Sequence, residues 1–242
     1  MKPFELLYLG LEPFLPPLQR KARAELRRIA KASKEMPEFL DVGGRLSPYT
    51  IGVPAKITVT DIPRESEVQE QLHLGTNDAM MKRLSRRRSN VSRVLLDDMT
   101  KSGLSDQSFD CVVAIEVLEH IDDDEAFLSH VHRVLKDGKP FVMSTPNGEA
   151  VKNTNPDHRR HYTRQQLKQL LEKRFVDVRV DYAVKSSYFY GLGIRSWEYK
   201  RPLRTAITMM SASVSAIESS ARAVRFDNEH THQLFATAMK RA

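Results

Sequence analysis

The sequence predicts an α/β fold: a doubly wound, mostly parallel seven-stranded sheet, with a helix ahead of it and a helical insertion before the last strand. Three observations carry that reading. Short apolar or β-branched runs alternate with segments of helical periodicity between residues 38 and 184. The first run closes on two glycines, and each of the next three closes on or is followed by a carboxylate. One more run, residues 233–239, stands apart after a long helical stretch.

Taken in order, Leu18, Ala22, Leu26 and Ile29 recur at helical spacing, so residues 18–33 form an amphipathic helix ahead of Pro37. Residues 38–44 (Glu-Phe-Leu-Asp-Val-Gly-Gly) read as a buried strand and a tight loop, and residues 56–61 as a second strand closed by Pro63. Helices are predicted over 65–74 and 78–84, joined at Gly75. Strands three and four are 93–98 and 109–115. A helix over 123–135 carries the stripe Phe127, Leu128, Val131, Val134 and Leu135, and stops at Asp137-Gly138. Residues 140–145 make the fifth strand. Thr163 caps a helix running to Phe175, with Leu167, Leu170 and Leu171 inward. Residues 176–184 alternate as a strand should, and 233–239 supply the seventh. The expected division is an N-terminal helical segment (1–37), a core (38–184), a helical insertion (185–230) and a last core strand (231–242).

Composition narrows the function classes. At 242 residues, 40% hydrophobic and 29% charged, the chain can bury a real core as one domain with appendages. Its single cysteine, Cys111, excludes an internal disulfide and a cysteine-rich zinc site and suits a cytoplasmic protein. No apolar run nears the roughly 20 residues of a membrane span. The first 18 residues, broken by Glu5, Glu12 and prolines, make a poor signal peptide. The net charge of +7 is gathered around residues 20–34, 82–93 and 158–161. A solvated helix face is the plainer reading of the first two clusters. With no zinc-finger spacing or aromatic RNA-binding strand beside them, nucleic acid is not the expected partner.

In sheets of this kind ligands bind beyond the carboxyl ends of the strands. Those ends carry Gly43-Gly44, Asp61, Asp97-Asp98 and Glu116. Glycine lets backbone N–H groups approach an anion, an acid after the second strand can accept from both ribose hydroxyls, and Asp98 can accept from an exocyclic amine. Each alone reads equally as a turn glycine or a capping acid. Their order along the chain describes a nucleoside pocket.

With those residues in place, the chain resembles the class I S-adenosylmethionine (SAM)-dependent methyltransferases over 38–175 and the terminal strand, and within them the ubiquinone-methyltransferase-like group acting on small molecules or saccharides. The matching pieces are Phe39-Leu-Asp-Val-Gly-Gly44, Val59-Thr-Asp61, Leu96-Asp-Asp-Met99, Ser108-Phe-Asp-Cys-Val-Val113, Glu116-Val-Leu-Glu-His-Ile121, Val134-Leu-Lys-Asp-Gly-Lys139 and Ser144-Thr-Pro-Asn147. The resemblance implies the Rossmann-like methyltransferase fold, a SAM cofactor and transfer of a methyl group. By position, Asp41, Gly43 and Gly44 would meet the methionine part, Asp61 and Ile62 the ribose and adenine edge, and Asp98 and Met99 the adenine. Glu116 would lie under the sulfonium. One departure stands out: where the family loop reads Asp-x-Gly-x-Gly-x-Gly, Arg45 and Ser47 replace the second and third glycines, and Pro48 and Pro54 shorten the following helix. Either Arg45 pairs with the methionine carboxylate, the favoured reading, or the chain is an inactive partner subunit. A similar Gly-Gly-Arg loop in methyltransferases encoded near bacterial surface-polysaccharide genes points to a saccharide-like acceptor.

A hydroxyl acceptor must lose a proton, and the candidate bases are His120, just after the fourth strand, and His158 or His161 in the following loop; a structural hydrogen bond or helix-start geometry are the plainer roles. The segment after the fourth strand lacks the Asn-Pro-Pro-Tyr-type loop of many base N-methylators, which favours oxygen over nitrogen; an RNA or protein methyltransferase is the remaining enzymatic alternative. Glu116, Glu119 and His120 also admit a metal reading, since similar segments occur in quinone O-methyltransferases where magnesium is implicated; many methyltransferases carry Glu-His here without metal, and no metal is expected. Finally, Leu203, Ile207, Met210, Val214, Ile217, Ala221 and Val224 form a heptad-like stripe with Lys200, Arg201, Arg204, Arg222 and Arg225 around it. Packing on its own domain is the expected use. A lid over the acceptor, a homodimer helix and an anionic membrane surface, at the inner face of the membrane, are the functional ones.

Overall fold

The computed structural model describes residues 1–63, 76, 78–194, 197–198, 200–220 and 229–242. In chain order the elements are α1 (Pro3–Gly10), α2 (Pro17–Ala32), β1 (Glu38–Val42), β2 (Lys56–Asp61), α3 (Asp78–Arg87), β3 (Val91–Leu96), β4 (Cys111–Ile115), α4 (Asp124–Val134), β5 (Pro140–Pro146), α5 (Arg164–Glu172), β6 (Val176–Lys185), α6 (Tyr188–Gly193), α7 (Pro202–Ser220) and β7 (Thr231–Met239). The predicted helix over 65–74, and Ala221, Arg222, Val224 and Arg225 of the stripe, lie outside the described residues.

The strands form one seven-stranded sheet in the order β3-β2-β1-β4-β5-β7-β6. All pairs from β3 to β5 are parallel, while β7 runs antiparallel to both β5 and β6. This is the expected doubly wound α/β sheet. The central strands are near-continuous apolar runs because both faces are covered: Phe39 and Leu40 of β1 point to opposite sides and are both buried. One face packs on α4 and α5 through Phe127, Leu128, Val131, Leu167 and Leu171. The other packs on α2 through Leu18, Ala22, Leu26 and Ile29, the stripe read from the sequence. Asp123 and Thr163 cap α4 and α5 as N-cap residues, Thr163 within a full capping box. The strand order reverses between β1 and β4, which puts the crevice of the fold beyond their carboxyl ends.

Two expectations change. β3 begins at Val91 and ends at Leu96, so Asp97 and Asp98 lie in the loop past the strand. The larger correction concerns α7, which does not bury its apolar stripe. Leu203, Met210 and Ile217 are 76%, 68% and 67% exposed, with Ile207 and Val214 exposed beside them, whereas Ala212 and Ser215 are fully buried. The helix packs through its small residues because its neighbours approach too closely for large ones: a Cβ on Gly193 of α6 would lie 2.8 Å from the backbone of Ala212. The sequence pattern therefore marked the outward face. Met210→Ser should leave the urea midpoint within about 0.5 kcal/mol of wild type, while Ala212→Leu should destabilise by about 1–3 kcal/mol through overpacking; the reverse order would mean that α7 is seated on its apolar side.

Candidate functional site

Beyond the carboxyl ends of β1, β2 and β4, and in the loop after β3, lies a cavity of about 270 Å³ lined by residues from four successive strand-end segments. Gly43, Arg45, Asp61, Ile62, Asp98, Met99, Glu116 and His120, all singled out from the sequence, share its wall. Asp97, Leu46, Val117, Ile121 and Phe127 also line it and were not assigned a role there. Asp41, Gly44 and His158 do not line it.

Asp41 corrects the sequence reading. Its carboxylate is fully buried under the loop: Ser47 Oγ–H donates to Oδ2, Thr50 Oγ1 donates to the same oxygen at 3.0 Å, and the Tyr49 hydroxyl donates to Oδ1 at 2.8 Å. The buried Arg88 guanidinium donates to Thr50 Oγ1 and to the Ser47 carbonyl at 3.3 Å, which sets it over this network. Burial raises the Asp41 pKa, and Ser47, Arg88 and Tyr49 pull it back. An acid so occupied shapes the loop, and it is buried away from the cavity. Ser47, the residue in place of the family's third glycine, is there to serve it.

The loop itself is set by two glycines. Gly43 has φ +67°, and a Cβ there would meet Val117 at 3.0 Å; a Cβ on Gly44 would fall 2.1 Å from Asp41 Cγ. Gly44 is thus required by packing against Asp41 rather than by a ligand. A single 3-10 turn, Gly44–Leu46, follows, and the chain then bends through Pro48, so the shortened helix is as expected. This path turns Arg45 across the cavity wall, with Nε 3.0 Å from Asp61 Oδ2. Burial raises the Asp61 pKa and the Arg45 charge opposes that rise.

At the far end of the cavity Asp98 Oδ1 accepts from Thr100 N–H (3.0 Å) and Thr100 Oγ1 (2.7 Å). Asp97 is the residue the sequence reading passed over: Oδ1 accepts from Gly103 N–H at 3.1 Å, but Oδ2 is buried with no hydrogen-bond partner. An orphaned acceptor in a cavity wall is what a donor on a ligand would satisfy. Only the doubled acid in Leu96-Asp-Asp-Met99 hinted at it.

Glu116 closes the opposite side. Its backbone is left-handed at φ +58°, a strained conformation for a residue with a side chain. Oε1 accepts from Ser144 Oγ at 2.9 Å and Oε2 from Gln233 Nε2 at 2.9 Å. Burial pushes its pKa up to about 7 against these two bonds. Gln233 on β7 and the nearby Tyr190 on α6 bring the late part of the chain to this end of the cavity. Beside it the loop 155–161 is tied down by Arg159 N–H donating to the Glu119 carbonyl at 2.7 Å. The His120 and His158 rings stand edge to face with centroids 4.8 Å apart. Arg159 and Arg160 turn to Asp122 and Asp124, at 3.0 and 2.9 Å, so the third basic cluster is paired with acids.

Comparison with known proteins agrees with this geometry. Residues 57–143 match the protein family described as "Methyltransferase domain". Over 96 residues, 38% of this chain and 36% of the relative, the sequence is 36% identical to a Mycolicibacterium smegmatis protein named "Probable S-adenosylmethionine-dependent methyltransferase". Over 132 residues, 52% of this chain and 33% of the relative, it is 33% identical to the sterol 24-C-methyltransferase of Aspergillus fumigatus. The chain thus spans about a third of the length of the curated relatives it matches. Among solved structures, a SAM-dependent methyltransferase from Archaeoglobus fulgidus aligns with TM-score 0.57 and 17% identity over 92% of this chain and 94% of that one. Phosphoethanolamine N-methyltransferase 2 of Haemonchus contortus, solved with SAM, aligns with TM-score 0.60 and 16% identity over 92% and 52%. At such identities the structures establish the fold, which is the Rossmann-like class I methyltransferase fold. The segment 57–143 is thus similar to a methyltransferase domain, and the Haemonchus contortus structure holds SAM.

Ser47→Gly restores the family's glycine. It should nonetheless destabilise the fold by about 1–3 kcal/mol in urea unfolding, because it removes a buried hydrogen bond to a carboxylate. Unchanged stability would show that Asp41 does not depend on that hydroxyl.

Proposed function

We propose that this chain is an enzyme that uses SAM to methylate a hydroxyl of a small or saccharide-like acceptor. The observation that carries the reading is the meeting of Gly43, Asp61, Asp98 and Glu116, from four successive strand-end segments, around one cavity. Residues and cofactor fit: Asp97 Oδ2, in the cavity wall, is an acceptor lacking a donor.

In this reading Gly43 and Arg45 hold the methionine end, Arg45 leaving Asp61 for the cofactor's carboxylate, a charge-assisted contact. Asp61 then accepts from the ribose hydroxyls. Ile62 and Met99 flank the adenine, and Asp98 with its neighbour Asp97 accepts from the exocyclic amine. Gly44 and Asp41 serve only to fix the loop. When bound, SAM supplies a methyl on a cationic sulfur: the carbon–sulfur bond breaks as the carbon–oxygen bond forms, and the sulfur departs as a neutral thioether. Glu116 faces that positive charge. The protein's remaining work is to align the acceptor, keep water out and take the hydroxyl proton. His120, in the cavity wall, is the base offered for the last task, with His158 against its ring; burial lowers both pKa values, His158 to about 4, which favours unprotonated rings at neutral pH. The sterol and phosphoethanolamine enzymes among the similar proteins act on carbon and nitrogen, so the oxygen target rests on these histidines and the loop after β4.

Titration calorimetry tests the cofactor assignment. Asp61→Ala should weaken SAM binding by about 1.5–3 kcal/mol, the worth of hydrogen bonds to a charged group; an unaltered Kd removes Asp61 from the site. Glu116→Gln should weaken SAM while sparing the uncharged product S-adenosylhomocysteine, and equal losses for both ligands would place Glu116 away from the sulfur. A wild-type chain that gives no heat with SAM is the non-catalytic partner subunit instead. A steep salt dependence of RNA retention on filters would favour the nucleic-acid reading.

A further inference from the structure

Beside the cavity the carboxyl of Glu119 and the rings of His120 and His158 converge. Glu119 is 1% exposed, and its Oε2 has no hydrogen-bond partner. One ligand atom each of Glu119, His120 and His158 lie within 4.8 Å of one another. The tautomers of both rings follow from their neighbours. His120 Nδ1 faces the Asp157 carbonyl at 3.2 Å and must carry the proton. His161 Nδ1 faces the Val151 carbonyl at 2.9 Å, so its Nε2 is the acceptor, and His158 Nδ1, 2.7 Å away, is the donor to it. Each ring is therefore left with a bare Nε2. Backbone carbonyls and a second imidazole fixing the far nitrogen are the outer-shell pattern of metal-bound histidine. Glu116 is not in the set, since both its oxygens are taken by Ser144 and Gln233.

We infer that Glu119, His120 and His158 bind a divalent transition-metal ion of the zinc class. Two imidazoles and one carboxylate are the wrong donors for magnesium, which takes oxygen ligands, and they differ from the Glu116-Glu119-His120 grouping suggested by the sequence. Three protein ligands leave a coordination position open. In the methyl-transfer reading, on which this role rests, that position would take the acceptor oxygen and make its hydroxyl more acidic, the proton passing to buffer base; with metal bound the two rings would be ligands, and only the metal-free protein would use them as bases.

The test uses the full chain stripped with a chelator and titrated with Co²⁺ alone, in the absence of SAM. One equivalent should bind with visible d–d bands and be displaced by Zn²⁺. Glu119→Gln and His158→Ala, with folding checked by thermal melting, should each lower Co²⁺ affinity by more than the roughly 10–100-fold expected for His161→Phe, which removes only an outer-shell partner. Absence of the bands, or bands unchanged in Glu119→Gln and His158→Ala, overturns the site and means that Glu119 carries a proton shared with an imidazole. SAM affinity measured on the same preparation separates the two ideas: cobalt bound without SAM sinks methyl transfer and leaves the metal site, and SAM bound without cobalt does the opposite.

Discussion

A carboxylate with no route to water governs the first turn of this molecule. Asp41 sits at the end of a fully buried strand, and an acid there is tolerable only if its oxygens are saturated. Three hydroxyls from one short segment, Ser47, Tyr49 and Thr50, do this, with Arg88 behind them. Meeting that demand commits residues 43–50 to one path, excludes a side chain at position 44, and leaves Arg45 facing Asp61. A departure from the family's glycine pattern that looks in the sequence like decay is, in three dimensions, a different way of closing the same loop.

The opposite wall of the cavity depends on another unfavourable arrangement. Glu116 combines left-handed backbone with a buried carboxyl, both held by Ser144 on β5 and Gln233 on β7. Strain and desolvation at such a position are sustained only because the central strands over-determine the backbone. An acid poised near neutrality beside a cavity also responds strongly to a positive ligand, which a well-solvated acid would not.

Much of the fold was legible because its signals are local. Alternating apolar runs, the Asp123 and Thr163 caps and the α2 stripe each specify one element without reference to the rest. The cavity residues were legible for the same reason: strand ends are visible in sequence, and the fold brings them together. What failed was whatever required knowing a neighbour. Asp41 was given a ligand because nothing local reveals three hydroxyls folding back over it. Asp97 was left without a role because its orphaned oxygen appears only in space. In α7 the periodicity was right and its direction wrong: an apolar stripe says which residues share a face, not which face meets the protein, and close approach of α6 selected the small residues. The convergence of His158 on Glu119 spans a loop whose backbone bond from Arg159 no spacing rule predicts.

The placement of β7 between β5 and β6 has a consequence for how the chain reaches this state. Among the described residues β6 joins the sheet through β7 alone, and β7 lies beyond residues 186–230 in the chain. Until that later segment arrives, β6 has no ladder to join and β5 presents an unprotected edge, so the intervening stretch must be looped out before either is satisfied. A nascent or nicked chain lacking Thr231–Met239 therefore exposes two pairing edges at once, the condition under which strands recruit one another between molecules.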